Sequence, residues 1–388
     1  MPPLRVISVA SNKGGVGKTT IATNLAVYLR ALREDVPILV LGLDDQDLIE
    51  RMFALDVSGP SAPTVLDALH GRDLRPAIRL GQYGVHYIPP SVTISNEASR
   101  LNDPMALREL LSRTGWDGLV VIDTKSDLGI LTQNALAASD LALIVVSDRS
   151  SLEQAERIYR LLEGCGRPRS FAHVVLSLVD RRIQYHDGED ADILALLVSE
   201  VRRRGHSLLE SFVSRSPKIE SLYTNRERRA RSILHAARGS LIHRQMTELA
   251  KDVLRRLDLE DSATAGAHPP EPAAVARVAE RRRRPRRPFS KQIACFSFAE
   301  PPIIALRAHD LSTDGIAVEP SADVARVGRV HLALAAEGAG ERLLVWARVL
   351  RSDPERMALR FEVEDDVELR RQLSSFVERL ELTPAALA

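Results

Sequence analysis

Residues 13–20 read Lys-Gly-Gly-Val-Gly-Lys-Thr-Thr, and no other stretch of the chain constrains its fold as tightly. The run before it, Val6-Ile7-Ser8-Val9-Ala10, is apolar and of strand length, and the run after it, Ile21 to Leu29, has helical spacing. Strand, glycine loop and helix in that order are the setting of a phosphate-binding loop. Gly14, Gly15 and Gly17, with Val16 between them, let backbone N–H groups curl around an oxyanion without Cβ clashes. The helix start adds its positive dipole end. Lys18 is placed to reach the β and γ phosphates, and Thr19, followed by Thr20, to hold a magnesium ion through its hydroxyl. Asn12 stands where the usual pattern has its first glycine, a mild departure because asparagine tolerates the left-handed conformation. A glycine-rich turn that binds nothing would leave the lysine and both threonines in register without a reason.

At 388 residues the chain predicts two or more domains, and 45% hydrophobic content supports packed cores. A formal charge of +1 excludes a protein that is polycationic or polyanionic as a whole. The two cysteines, Cys165 and Cys295, lie far apart, so neither a disulfide framework nor a zinc spacing is available, which suits a reducing cytosol. The N-terminus enters a strand almost at once without a signal-peptide core, and no window reaches the roughly 18 apolar residues of a membrane span. The expectation is a cytoplasmic protein, reaching a pole or the membrane periphery only through a partner.

Apolar runs at 6–10, 36–41, 85–88, 119–122, 141–146 and 174–178 read as parallel strands buried on both faces. Helical segments at 105–113, 152–163, 191–204 and 241–257 alternate with them, predicting a doubly wound, mostly parallel α/β sheet over residues 1–257. Residues 258–280, rich in alanine, proline and acidic side chains, read as a linker. From Arg281 onward the period shifts toward two. Strands at 291–298, 303–309, 316–319, 329–335, 342–352 and 356–362 predict a small antiparallel β-barrel over 281–388. It closes with an amphipathic helix over 367–382 that lines up Leu369, Leu373, Phe376, Val377 and Leu380.

Asp123 directly follows the strand Leu119–Ile122, the position from which an acidic residue serves a magnesium shell; a helix N-cap is the bland alternative. Gly42 to Asp47 (Gly-Leu-Asp-Asp-Gln-Asp) follows another strand, and one of its carboxylates could orient an attacking water. A solvated acidic loop fits that composition as well.

With these motifs, residues 4–257 resemble the ParA/MinD superfamily of deviant-Walker ATPases. The resemblance implies ATP as substrate, Mg2+ as cofactor and an ATP-dependent homodimer in which Lys13 reaches the partner's phosphates. It implies catalytic roles for Lys13, Lys18, Asp44 and Asp123, with Asp44 linked to water activation. The family's Asp-x-Asp-Pro-Gln becomes Gly42-Leu43-Asp44-Asp45-Gln46 here, and its Asp-Thr-Pro-Pro becomes Asp123-Thr124-Lys125-Ser126, so the switch loops carry charge where prolines are usual. A MinD-like membrane helix would fall near residue 257, where the chain instead enters the linker. The arginines of the 202–231 region could touch a DNA backbone, but a solvated helix face is the favoured reading.

In the C-terminal part, Arg282-x-x-x-Arg286 is followed by Asp310-x-Ser312-x-x-Gly315. The spacing of Arg283 and Arg287 is the same. This part resembles the PilZ domain, which implies cyclic di-GMP as an effector. Guanidinium groups clamp phosphate and read or stack on guanine, Asp310 and Ser312 would add polar contacts, and Gly315 would permit close approach. The expected protein is an ATP-hydrolysing dimerisation switch that positions or regulates an assembly under cyclic di-GMP control. The rivals are a DNA-partition ATPase and a non-hydrolysing scaffold.

Overall fold

The structure, a computed structural model, describes residues 3–55, 63–97, 103–180, 184–186, 190–223, 230–259, 287–289, 292–296, 303–335, 342–363 and 367–382. Residues 260–286, with most of the expected linker, Arg282 and Arg286, lie outside the described residues. The chain divides into two compact units, residues 1–265 and 266–388.

The first unit holds an eight-stranded sheet in the order β10-β7-β6-β1-β5-β2-β4-β3. Its strands are β1 (Arg5–Ala10), β2 (Ile38–Gly42), β3 (Arg79–Leu80), β4 (His86–Ile88), β5 (Leu119–Asp123), β6 (Leu141–Val146), β7 (Ala172–Val179) and β10 (Leu208–Ser214). A separate hairpin joins β8 (Gln184–His186) and β9 (Asp190–Asp192). Every pairing in the large sheet is parallel except that of the two-residue edge strand β3 with β4. Alternate residues serve opposite cores. Ile7, Ile38, Val40 and Val121 pack with helix α1 (Lys18–Leu32) and the helix Leu241–Arg256, while Val6, Leu39, Leu41, Val120 and Ile122 pack on the other face with Leu107 and Leu131. Strands buried on both faces need near-continuous apolar sequence, which β1, β2 and β5 have apart from the buried Ser8 of β1. β10 lacks it: Glu210 and Ser211 interrupt the run, and the strand was not expected from its sequence. It completes the edge of the sheet beside β7, with two register shifts.

In the second unit, six antiparallel strands close into a ring. β13 (Ile303–Leu311) pairs with β12 (Gln292–Phe296), then come β15 (Arg329–Ala335), β16 (Arg342–Ser352), β17 (Met357–Phe361) and β14 (Gly315–Val318), which returns to β13. Closure leaves no open sheet edge in the ring. A short strand, β11 (Arg287–Pro288), lies against Asp310 and Leu311 of β13. Phe289 follows it into the core, 2% exposed, and meets Phe376 of the closing helix Val367–Leu382 edge-on at 6.1 Å. Leu373 and Val377 are buried in the same core, as the helical spacing predicted, with Leu369 packed against it. Among the described residues no helix is long and apolar enough to cross a membrane.

Candidate functional site

β1 sits inside the large sheet, flanked by β5 and β6; chain order runs outward through β6, β7 and β10 on one side, while on the other β5 is followed by the earlier strands β2, β4 and β3, so the order reverses at β1. The crevice beyond the C-terminal strand ends at such a switch point is where α/β folds bind ligands. Residues 13–20 lie there. Gly15 (φ 74°) and Gly17 (φ 93°) take left-handed backbone that an L side chain resists. Val16 is buried in the core and anchors the loop, while Gly14 and Gly15 are exposed. Gly17 is the N-cap of α1 and no side chain caps the helix, so its first N–H groups, which have no partner within a helix, face the crevice. The Thr20 carbonyl accepts from Asn24 Nδ2 at 2.9 Å, which stiffens the first turn.

Lys18 is 6% exposed, and its Nζ lies 2.5 Å from Ser126 Oγ. Burial pulls its pKa below the usual lysine range, opposed by Asp123, Asp44 and Asp127. Asp123 ends β5 in register with Val9 of β1 and Gly42 of β2. It is 1% exposed and accepts a hydrogen bond from the Thr19 side chain, yet its Oδ1 is buried without a partner. Burial pushes its pKa up to about 7, against the pull of Thr19 and Lys18, and Asp44 adds to the rise. A buried carboxylate oxygen with no partner is a costly arrangement that a cation relieves. Thr19 and Asp123 are hard oxygen donors and fit magnesium, which shares its shell with waters and substrate phosphates. Lys13 is held within its own chain: its Nζ lies 2.6 Å from Asp148 Oδ2. Asp148 also caps the helix Arg149–Gly164 through Ser151.

The sequence motifs thus meet around one crevice. The reading of the sequence noted Ser126 only as a replaced proline and missed it as the partner of Lys18; it also missed Asp148, which lies in no motif, as the partner of Lys13. The Gly42 position is tight, since a Cβ there would lie 2.6 Å from Ile49 Cδ1. Farther along, Arg203 and Arg204 pair with Glu200 at 2.6 and 2.8 Å. Arg226, Arg228 and Arg229 lie outside the described residues.

On the barrel, Pro288 registers with Asp310, so the chain leaving the arginine stretch runs alongside the second half-motif. Asp310 Oδ2 lies 3.7 Å from Arg356 Nη1. Ser312, 5% exposed, holds the β13–β14 turn: its hydroxyl accepts from the Gly315 N–H and donates to the Gly315 carbonyl, both at 3.2 Å. Its position inside the turn shapes the loop. Gly315 is required by the neighbouring strand, because a Cβ would sit 2.3 Å from the Leu359 carbonyl oxygen. A feature not read from the sequence is a row of arginines in register across three strands. Arg329 pairs with Arg348, Arg348 with Arg360, and Arg360 with Gly315. Glu362 bridges Arg329 (2.8 Å) and Arg348 (3.2 Å), and Arg329 stacks over Trp346 at 4.3 Å.

Comparison with known proteins agrees with this layout. A family profile described as an AAA domain matches residues 4–165, and one described as a PilZ domain matches residues 280–379. The chain is 37% identical over 162 residues to the chromosome-partitioning ATPase Soj of Thermus thermophilus, across 42% of this chain and 58% of that protein. It therefore spans less than two thirds of that relative. It is 30% identical over 207 residues to the chromosome partitioning protein ParA of Caulobacter vibrioides, across 50% of this chain and 76% of that protein. The solved septum site-determining protein MinD from Pyrococcus horikoshii, complexed with Mg-ADP, superposes with a TM-score of 0.52 at 22% identity over 67% of this chain and 99% of that one. At that identity the likeness is one of fold. The chain belongs to the ParA/MinD family of P-loop ATPases and carries a PilZ domain after the ATPase fold.

Proposed function

We propose that the protein is an ATP-hydrolysing dimerisation switch whose ATPase unit positions or regulates a cellular assembly under the control of cyclic di-GMP. The observation that carries the reading is the buried, unpartnered Oδ1 of Asp123 beside Thr19 and Lys18 at the mouth of a left-handed glycine loop. Thr19 and Asp123 would hold Mg2+, with Asp123 acting through a coordinated water. When bound, the ion neutralises charge on the phosphate oxygens.

In this reading the loop N–H groups and Lys18 cradle the β and γ phosphates, and Lys18 exchanges Ser126 for them. Asp44 orients the water that attacks the γ phosphorus. The bond from that phosphorus to the β–γ bridging oxygen breaks, giving ADP and inorganic phosphate. Lys13 would leave Asp148 and reach the phosphates bound by a second copy. The relatives named for chromosome partitioning support a positioning role, while the pairing of Arg203 and Arg204 with Glu200 speaks against a DNA surface there.

At the barrel, Arg282 and Arg286 would clamp the effector against Asp310 and the arginine row. The test is phosphate release from full-length protein with MgATP, together with calorimetry using cyclic di-GMP on wild type and Arg286→Ala, with and without ATP. Release abolished by Asp44→Asn, and effector binding abolished by Arg286→Ala, are expected. A wild type that binds ATP and releases no phosphate would favour the scaffold reading.

A further inference from the structure

Three side chains from three different loops meet beside the phosphate cradle. Lys125 follows β5, Asp45 follows β2, and Ser95 lies in the short helix Ile94–Glu97 beyond β4. Lys125 Nζ donates to Ser95 Oγ at 2.5 Å and lies 3.3 Å from Asp45 Oδ2. Ser95 passes the chain on: its hydroxyl donates to Asp45 Oδ2 at 2.5 Å, and its backbone N–H donates to Asp45 Oδ1 at 3.0 Å. Both carboxylate oxygens of Asp45 are thereby engaged, and Lys125 has a further acidic neighbour in Asp127 at 3.9 Å. The Lys125 and Asp45 side chains are 31% and 33% exposed, so the pair is partly sheltered from water. Hydrogen bonds linked in series polarise one another, and those with charged ends are the stronger kind.

The cluster bears directly on the neighbouring carboxylate. The backbone N–H of Asp45 donates to Asp44 Oδ1 at 2.8 Å, and Asp44 acts electrostatically on both Lys18 and Asp123. On the preceding side, the Leu43 N–H donates to the Asp123 carbonyl at 2.9 Å. Asp44 is therefore pinned between a backbone bond to β5 and a residue whose side chain is gripped by two other loops. Proline stiffens a loop by fixing φ covalently. Here two loops are stiffened by a bond that can open and re-form.

We propose that Lys125, Ser95 and Asp45 form a charged clamp that fixes the Asp44 carboxylate in front of the phosphate loop, with Lys125 and Asp45 as positioning residues. The kinetic part rests on the ATP-hydrolysis reading; the immobilisation of the loop does not. The deciding measurement is amide hydrogen exchange over Leu43–Asp47 in the full-length protein. It compares wild type, Lys125→Ala, Asp45→Ala and the exchanged pair Asp45→Lys with Lys125→Asp. Alongside it run steady-state phosphate release, Mg-ADP affinity and thermal unfolding. Each single variant is expected to speed exchange about two- to fivefold and to lower kcat by a similar factor. Mg-ADP affinity is expected to stay within about twofold, and the exchanged pair to recover most of the loss. Unchanged exchange in both single variants overturns the clamp, as does an exchanged pair no better than either single. If wild type releases no phosphate, the hydrolysis reading fails, and the exchange data still decide the clamp.

Discussion

The phosphate-loop crevice and the arginine face of the barrel handle charge in opposite ways. In the crevice, Asp123 is 1% exposed with an oxygen that no protein group satisfies, and Lys18 is 6% exposed. On the barrel, Arg348 is 69% exposed and already shares Glu362 with Arg329. The first arrangement stores an electrostatic penalty inside the fold that a metal–phosphate ligand relieves. The second keeps its cations solvated and partly neutralised, so a ligand there gains by displacement. Loss of one group should be felt sharply in the crevice and mildly on the barrel.

The largest test of that contrast concerns Asp123. Its carboxyl is held near 7 against 3.8 in the unfolded chain. A raised carboxylate pKa means that the folded state retains the proton longer. Ligand-free stability therefore falls as pH rises from about 4 to about 7, by up to about 4 kcal/mol. Asp123→Asn should remove that slope and melt higher than wild type above pH 7, while abolishing magnesium-dependent nucleotide binding. Thermal unfolding without ligand from pH 5 to 8 checks it, and an unchanged slope would break the contrast.

Lys18→Ala comes next. Phosphate release should drop about a hundredfold or more through lost stabilisation of the γ phosphate, with cyclic di-GMP affinity of the same protein unmoved. Gly315→Ala tests the barrel's backbone: the added carbon meets the Leu359 carbonyl, and overpacking of this kind costs about 1–3 kcal/mol. Differential scanning calorimetry should show the barrel transition lowered and the ATPase transition unmoved. The smallest effect is expected for Arg360→Ala. Calorimetry should find cyclic di-GMP binding weakened about fivefold, with reduced salt dependence, as befits a surface charge.

How much was legible in the sequence follows from the range of the interactions. Leu141–Val146, Arg329–Ala335 and Arg342–Ser352 form strands over the spans their patterns indicate, because strand identity is written locally in apolar runs or alternation. The ATPase family and the placement of Asp123 after its strand were legible for the same reason. β10 was missed because buried Ser211 and Ser214 sit in a strand whose apolar run is broken. The arginine row was illegible because it depends on the register of three hairpin-connected strands, and a one-residue slip would turn Arg348 to the other face. Ser126 and Asp148 escaped notice as lysine partners because a lysine's partner is set by loop geometry over more than a hundred residues of separation.

The two-residue strand β11 has a mechanical meaning. Pro288 has no N–H to donate, so the strand itself grips β13 weakly. The firm mooring is the next residue, whose N–H bonds the His309 carbonyl at 3.0 Å and whose ring is wedged against Phe376 of the closing helix. Tension along the arginine stretch would therefore be delivered to the barrel at Phe289. It would be felt at two places at once, the strand carrying Asp310 and the helix that ends the fold. Phe289 is thus a rigging point that would share any pull between one backbone bond to β13 and one aromatic contact with the closing helix.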